Sequence, residues 1–161
     1  MSDWMEAVQQ WEMCRTGVVG ELRALDPEYL DVRPAKGART ARELAVHLLE
    51  AGRGFAQRLE TGAPFAPGSS ETSPTATADE LAVALMEDWT TNVRPRVEAL
   101  EGRADTVMES FFGQKTLLWQ LWFAISHEWY HRGQLATYVR LSGKVPALTQ
   151  YIEQVRSRTP G

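Results

Sequence analysis

The chain contains three histidines, and two of them lie four residues apart. His127 and His131 belong to the run SHEWYHRGQ, residues 126–134. On a helix, side chains at positions i and i+4 lie about 40° apart on one face, so both imidazoles can reach the same metal ion. His47 lies in a second helical pattern, ARELAVHLL, residues 41–49. The three histidines together predict a metal site formed between two helices.

Neutral imidazole is a ligand for zinc, nickel, iron and copper, and zinc and nickel are the leading candidates here. Three protein ligands leave at least one coordination position for water or substrate, which is typical of a catalytic metal. We expect His47 to face the core, because Leu44, Leu48 and Phe55 lie on its side of the helix. The alternative is a set of partly buried histidines that bind backbone carbonyls.

The string that starts at His127 also matches the H-E-x-x-H motif of zinc proteases, in which Glu128 would be the general base. Such a protease needs a third ligand downstream, and only Glu153 is available. It also needs a lobe that contains strands, and the sequence predicts none. We therefore interpret Glu128 as one partner of an ion pair, with Arg132 or with a basic residue of another helix.

Gly133 and Gln134, which follow His131 closely, each have a functional and a packing interpretation. Gln134 follows His131 by three positions, so it can orient a metal ligand or bind a metal-bound water. Gly133 permits another helix to approach closely. Local packing explains both residues equally well.

Composition indicates a soluble single domain that spans residues 1–161. The chain is 43% apolar and 24% charged, and its net charge of −4 predicts no general basic surface for nucleic acid. No apolar run approaches the roughly 20 residues that cross a membrane, and residues 1–4 do not show the basic-then-apolar pattern expected of a secretion signal. The single cysteine, Cys14, excludes an intrachain disulfide and lies on an apolar helical stripe, which indicates packing. We expect a cytoplasmic protein.

The apolar periodicity predicts four helices and therefore an all-α four-helix bundle. The expected helices run from about Asp3 to Leu25, Thr40 to Leu59, Thr77 to Leu100, and Thr116 to Ser142. Capping boxes open the second and third helices. Pro95 predicts a kink or break in the third helix near Asn92. Residues 148–158 form either a short fifth helix or a frayed tail, and 106–112 is the only weak strand candidate.

The segment 62–76 is too long for a simple turn. About 15 extended residues span roughly 50 Å, whereas a helix of 20 residues is about 30 Å long. We therefore predict a crossover that places helices 2 and 3 parallel. The fourth helix is apolar around most of its circumference, so it is either central or part of a homodimer interface. Aromatic filling of the core is the competing explanation.

Three sequence features resemble the DinB/YfiT-like family of small bacterial metalloproteins. Residues 25–34 followed by 40–48, which include TARELAVHL, are similar to the family's helix 1–2 connection and first ligand. Residues 127–135, HEWYHRGQL, resemble its helix 4 signature. The separation of about 80 residues between the two, with a proline-rich crossover, is similar too.

This resemblance implies an up-down-down-up bundle, often dimeric, with a divalent metal held by His47, His127 and His131. Family members with known activity include S-transferases and an isomerase that use a low-molecular-weight thiol, and many members have no assigned reaction. The resemblance therefore implies the fold and the metal more directly than the substrate.

The leading hypothesis is an enzyme whose metal activates a thiol for S-transfer, or water for hydrolysis, on a small-molecule substrate. A low-molecular-weight thiol cosubstrate is implied only by the resemblance. No residue is assigned as a general base or other catalytic group. The alternatives are a stress-response module that binds metal without turnover and a structural metal clip between helices 2 and 4.

Overall fold

The computed structural model describes residues 1–158, which form a four-helix bundle with a small hairpin and a C-terminal helix. In chain order the elements are α1 (Asp3–Ala24), α2 (Ala41–Thr61), α3 (Ala78–Asp88), a π-helical turn (Trp89–Val93), α4 (Arg94–Glu98), β1 (Val107–Met108), β2 (Lys115–Thr116), α5 (Leu117–Leu141) and α6 (Ala147–Arg158). Single 3₁₀ turns occupy Pro27–Tyr29 and Glu101–Arg103.

Helices α1, α2, α3 and α5 each follow a hydroxyl residue that caps them. The side chains of Ser2, Thr40, Thr77 and Thr116 each accept a backbone N–H three residues later. The capping boxes predicted at Thr40 and Thr77 are confirmed, because the carboxylates of Glu43 and Glu80 accept the backbone N–H groups of the capping residues. The sequence therefore fixes the helix starts locally.

Two core clusters establish the direction of each helix. The first cluster joins the C-terminal ends of α1 and α5 to the N-terminal ends of α2 and α3, through residues such as Leu22, Leu44, Leu81 and Leu135. The second joins the N-terminal ends of α1 and α5 to the C-terminal end of α2, the π-helical turn and α4, which continue from α3. Helices α2 and α3 are therefore parallel, and the bundle has the predicted up-down-down-up topology.

The segment that follows α2 crosses the length of the bundle, as its length predicts. Gly62, with a φ of +72°, ends α2, and the chain then runs back along that helix. The N–H of Gly68 donates to the carbonyl of Glu50 at 2.9 Å. Gly54 allows this close path, because a β-carbon at that position would overlap the backbone carbonyl of Ala66.

The expected break in the third helix is a π-helical turn, and the chain remains helical through it. The N–H of Arg94 donates to the carbonyl of Trp89, five residues earlier. Pro95 then occupies the first turn of α4, where a missing N–H is tolerated. The side chains of Thr90 and Thr91 donate to carbonyls of the preceding turn. The extra residue in this turn accommodates the proline.

The C-terminal segment forms a true helix, so the alternative of a frayed tail is wrong. The carboxylate of Glu21, which is buried on α1, accepts the N–H groups of Ala147 and Leu148 at 2.9 and 3.4 Å. The weak strand candidate is confirmed only for Val107–Met108, which pairs antiparallel with Lys115–Thr116. Within residues 1–158, no helix is long and apolar enough to cross a membrane.

Candidate metal centre

The structure brings the three histidines together between α2 and α5. The Nε2 atom of His47 lies 3.1 Å from that of His127 and 3.1 Å from that of His131. The two nitrogens on α5 are 3.2 Å apart. In the part of the chain that the structure describes, these residues form the one group of His, Cys, Asp and Glu side chains close enough to share an ion. Their role as metal ligands remains a prediction.

Hydrogen bonds within this triangle cannot satisfy all three nitrogens. The Nε2 atom of a neutral imidazole is either a donor or an acceptor. Among three such atoms in mutual contact, at least two must be of the same kind, and that pair repels. A cation at the centre removes the conflict, because all three nitrogens can then present lone pairs.

Gln134 helps to define which nitrogen of His131 faces the centre. The Nδ1 atom of His131 lies 2.7 Å from the Gln134 side-chain oxygen, which accepts a hydrogen bond. Nδ1 is then protonated, and the lone pair is on Nε2. Gln134 therefore has the position of a residue that orients a metal ligand, one of the two roles proposed from the sequence.

All three imidazoles are electrically neutral near pH 7. Burial lowers the pKa of His47 to about 4, with further contributions from the charge of Arg39 and from His131. Burial also lowers the pKa of His127 to about 4, and the two neighbouring imidazoles and Arg39 contribute. The pKa of His131 is lowered as well, mainly by burial, although the bond to Gln134 opposes this shift. Neutral rings are the form that binds metal.

The spacing of the nitrogens fits a first-row divalent metal. With bonds of about 2.0 to 2.1 Å, adjacent ligands of a tetrahedral zinc ion are about 3.3 to 3.4 Å apart. The observed separations of 3.1 to 3.2 Å are close to this value. Three nitrogen ligands without a carboxylate suit zinc, nickel, iron or copper better than magnesium or calcium.

Glu128 points into the core and away from the histidines. Its carboxylate lies 2.7 Å from Nε of Arg15 and accepts hydrogen bonds from Arg15 Nη2 at 2.9 Å and Trp11 Nε1 at 2.6 Å. Burial raises the pKa of Glu128, and Arg15 and Trp11 oppose that shift. The predicted partner on another helix is therefore Arg15, whereas Arg132 stacks over Trp129 at 4.7 Å. Glu128 is not placed to act as the base of a zinc protease.

The expectation of a close helix approach at Gly133 is wrong within this chain. A β-carbon added to Gly133 would meet no atom within 4 Å. The residue lies on the exposed side of α5, near Ser126 and Tyr130, which are also exposed.

Cys14 is fully buried, and burial raises the pKa of its thiol. A packing role for Cys14 is confirmed.

An aromatic wall beside the histidines was not predicted from the sequence. The Phe55 ring centroid is 5.4 Å from that of His127 and 5.9 Å from that of Phe123. We define the aromatic wall as Phe55, Phe65, Phe111, Phe112, Trp119 and Phe123, which are linked by ring contacts. Its members come from α2, the crossover, the hairpin and α5. The one sequence signal was the adjacent pair Phe111-Phe112 in an otherwise polar segment.

Arg39, at the opposite end of the histidine cluster, was also missed. Its charge contributes to the lowered pKa of all three histidines. Its backbone carbonyl accepts a hydrogen bond from the Tyr138 hydroxyl at 2.7 Å, which fixes this loop residue against α5. A position eight residues before His47 and just outside the helix pattern gave no sign of this proximity.

Comparison with known protein families matches the whole chain, residues 1–161, to the sequence model of the DinB family. The chain belongs to the DinB family. Among solved structures, a DinB-like protein from Bacillus subtilis is 24% identical, with a TM-score of 0.66 over 86% of this chain and 92% of that one. A DinB-like protein from Bacillus cereus is 23% identical, with a TM-score of 0.67 over 87% and 93% of the respective chains.

A third solved structure, TT2238, is described as a four-helix bundle protein and is 25% identical to this DinB-family chain. Its TM-score is 0.61, over 82% of this chain and 97% of that one. No curated protein matches the chain at a significant level. These structural similarities confirm the predicted fold, and the family match confirms the predicted resemblance. Neither comparison identifies a reaction for this DinB-family protein.

Proposed function

We propose that this protein is a metal-dependent enzyme that acts on a small molecule. The observation that carries the proposal is the triangle of three Nε2 atoms, 3.1 to 3.2 Å apart, which hydrogen bonds cannot satisfy. When bound, a divalent metal is a Lewis acid that lowers the pKa of a thiol or a water molecule. A thiol leads to S-transfer onto an electrophile, and water leads to hydrolysis.

The chain's own residues hold and orient this site. His47, His127 and His131 would bind the metal, and Gln134 holds His131 in the tautomer that presents Nε2. Glu128 and its partners fix α5 against α1 directly behind the histidines. No general base is assigned, because no carboxylate of residues 1–158 belongs to the group formed by the three rings.

The proposal is tested first by metal content and affinity. We expect purified protein to bind about one equivalent of Zn²⁺ or Ni²⁺ in titration calorimetry, with elemental analysis to identify the ion that it acquires in cells. The control is the His47→Ala variant, which removes the only ligand on α2. Equal affinity in the variant and the parent would refute the three-ligand site.

The reaction is tested with the metal-loaded protein. We expect turnover when low-molecular-weight thiols are combined with small electrophiles, or when small esters and amides are supplied without thiol. Loss of turnover in metal-free protein, and its recovery on adding metal, would support the enzyme. Metal binding with no turnover in either screen would favour the stress-response module. Unfolding on metal removal would favour the structural clip.

We also propose a homodimer formed through the exposed side of α5. Trp122, Tyr130 and Leu141 expose apolar surface along this side, and Ser126 and Gly133 leave room for a second helix. Light scattering after size-exclusion chromatography should give twice the chain mass. We expect Tyr130→Glu to give the monomer, while Tyr151→Glu, an equally exposed tyrosine on α6, should leave the dimer intact.

A further inference from the structure

The histidine cluster lies in the middle of a line of side chains along α2 and α5. One end of this line is Arg39, which Tyr138 holds against α5, seven residues beyond His131. Seven residues of helix correspond to about 10.5 Å. The other end is the aromatic wall, which begins at Phe55, in ring contact with His127. The surroundings of the cluster are therefore cationic at one end and apolar at the other.

Arg39 has a free guanidinium at its end of the line. Its side chain is exposed and makes no hydrogen bond or ion pair with any residue between 1 and 158. The charge of Arg39 contributes to lowering the pKa of Glu43, but the Glu43 carboxylate already pairs with Arg33 at 2.6 Å. The planar guanidinium group suits bidentate binding of a carboxylate or a phosphate.

The charge of the centre also favours an anionic ligand. Three neutral imidazoles leave the whole double charge of a divalent metal uncompensated, and Arg39 adds a further positive charge nearby. Many metal sites contain a carboxylate ligand that reduces this charge, and the cluster here contains none. Coulomb attraction therefore selects ligands that carry negative charge on the Arg39 side.

The aromatic wall continues from the centre to solvent. Phe55 is buried, Phe123 is half-buried, and Phe111 is exposed over 63% of its surface. The exposed ring is held in place from behind, because Arg58 lies 5.5 Å from its centroid and also donates to the backbone carbonyls of Ala63 and Glu109. Exposed rings that are held in this way offer a flat surface on which an apolar or aromatic group can stack.

We infer that the ligand of this centre is a small two-ended molecule, whose anionic group binds Arg39 and whose aromatic group packs on the aromatic wall. The metal-binding atom lies between these two groups. The inference rests on the proposed function, because it requires a metal at the three histidines. It adds the substrate class, which the metal ligands alone do not determine.

Three matched thiols test the two ends separately: 4-mercapto-5-phenylpentanoate, its primary amide, and 4-mercaptopentanoate, which lacks the phenyl group. The full-length protein is loaded with Co²⁺, and binding is followed by the sulfur-to-cobalt charge-transfer absorption. A hydrogen bond between two charged groups stabilises a complex more than one to a neutral group. We therefore expect the carboxylate probe, which pairs with Arg39, to bind about tenfold tighter than its amide. We expect the phenyl group to add about fivefold or more.

Variants then assign each preference to a residue. Arg39→Gln should remove the preference for the carboxylate and leave the affinity for the amide unchanged. The control is Lys36→Gln, which also removes one positive charge from this loop. It should change neither the preference for the carboxylate nor the affinity for the amide. Phe111→Ala should reduce the phenyl preference, whereas Tyr151→Ala, which is equally exposed on α6, should not. Circular dichroism and the Co²⁺ spectrum verify that each variant is folded and loaded.

The possible outcomes distinguish failure of the two-ended ligand from failure of the proposed metal-dependent function. Failure of the protein to bind Co²⁺ would overturn both. Co²⁺ and thiol binding with equal affinities for the three probes, or preferences unchanged by Arg39→Gln and Phe111→Ala, would overturn the two-ended ligand and leave the metal-dependent function standing.

Discussion

The buried ion pair behind the histidines provides the sharpest test of how this fold supports its centre. We predict that Glu128→Gln lowers the free energy of unfolding by about 3 to 5 kcal/mol, because it leaves the Arg15 cation buried without a counter-charge. Arg15 is completely buried, and its Nε lies 2.7 Å from the Glu128 carboxylate. The new amide can still accept a hydrogen bond from Trp11, so the loss reports mainly the charge.

Such a loss is a large share of the 5 to 15 kcal/mol that stabilises a typical domain. For a chain of this size it should lower the Tm by about 6 to 20 °C. Urea denaturation of the metal-free protein measures the free energy directly. The control is Glu60→Gln, which breaks a half-exposed pair with Arg96 and should cost less than about 1 kcal/mol. Replacing both members, Arg15→Met with Glu128→Leu, should recover much of the loss.

Metal affinity separates this structural role from a catalytic one. Because Glu128 contacts Arg15 and Trp11 and not the imidazoles, folded Glu128→Gln protein should bind Zn²⁺ within a few-fold of the parent. A variant as stable as the parent would show that the pair contributes nothing. A folded variant that loses metal affinity tenfold or more would show that Glu128 acts on the centre, and the argument from its orientation would be wrong.

Three further predictions follow from the site and the helices. His131→Ala should lower Zn²⁺ or Ni²⁺ affinity at least about tenfold in calorimetry while circular dichroism stays helical, and unchanged affinity would make it a core histidine. The metal-free protein should lose stability as pH falls from about 6.5 to about 4. The reason is that His47 and His127 have a pKa of about 4 in the folded protein and an ordinary pKa of about 6.5 when unfolded, so the unfolded chain binds more protons in this range. Urea denaturation midpoints that do not change with pH would contradict this prediction. Gly54→Ala should destabilise, because its β-carbon would overlap the crossover backbone, whereas Gly133→Ala, made in the monomeric Tyr130→Glu variant, should stabilise that monomer by about 0.5 to 1 kcal/mol; thermal melts in the reverse order would refute the packing assigned to both.

The sequence predicts the helices and their order well because those features are local. Apolar periodicity and the capping residues Thr40 and Thr77 determine where helices begin, and loop length alone indicates the crossover. The convergence of the histidines was predictable for a related reason. Every histidine of the chain lies on a helical pattern, and the spacing of His127 and His131 already aligns two of them.

The features that were missed depend on residues far apart in the chain. Glu128 meets Arg15 across 113 positions, so its spacing within α5 does not identify its partner. The aromatic wall is assembled from four separate segments, and each segment shows only one or two rings. Arg39 is a loop residue whose direction depends on the contact with Tyr138. Periodicity carries no information about such long-range contacts.

The π-helical turn makes the third helix one residue longer than a regular α-helix of the same turns. Removing one residue from Trp89–Val93 would restore a regular α-helix of the same number of turns, so the residues after it would keep their faces. Val97 would stay in the core, and its carbonyl could still accept the hydrogen bond from the Trp4 indole. The cost of the deletion would fall on Pro95, because its ring would then meet a carbonyl of the preceding turn of a regular helix. The deletion should therefore be tolerated better when Pro95 is replaced by alanine than when it is kept.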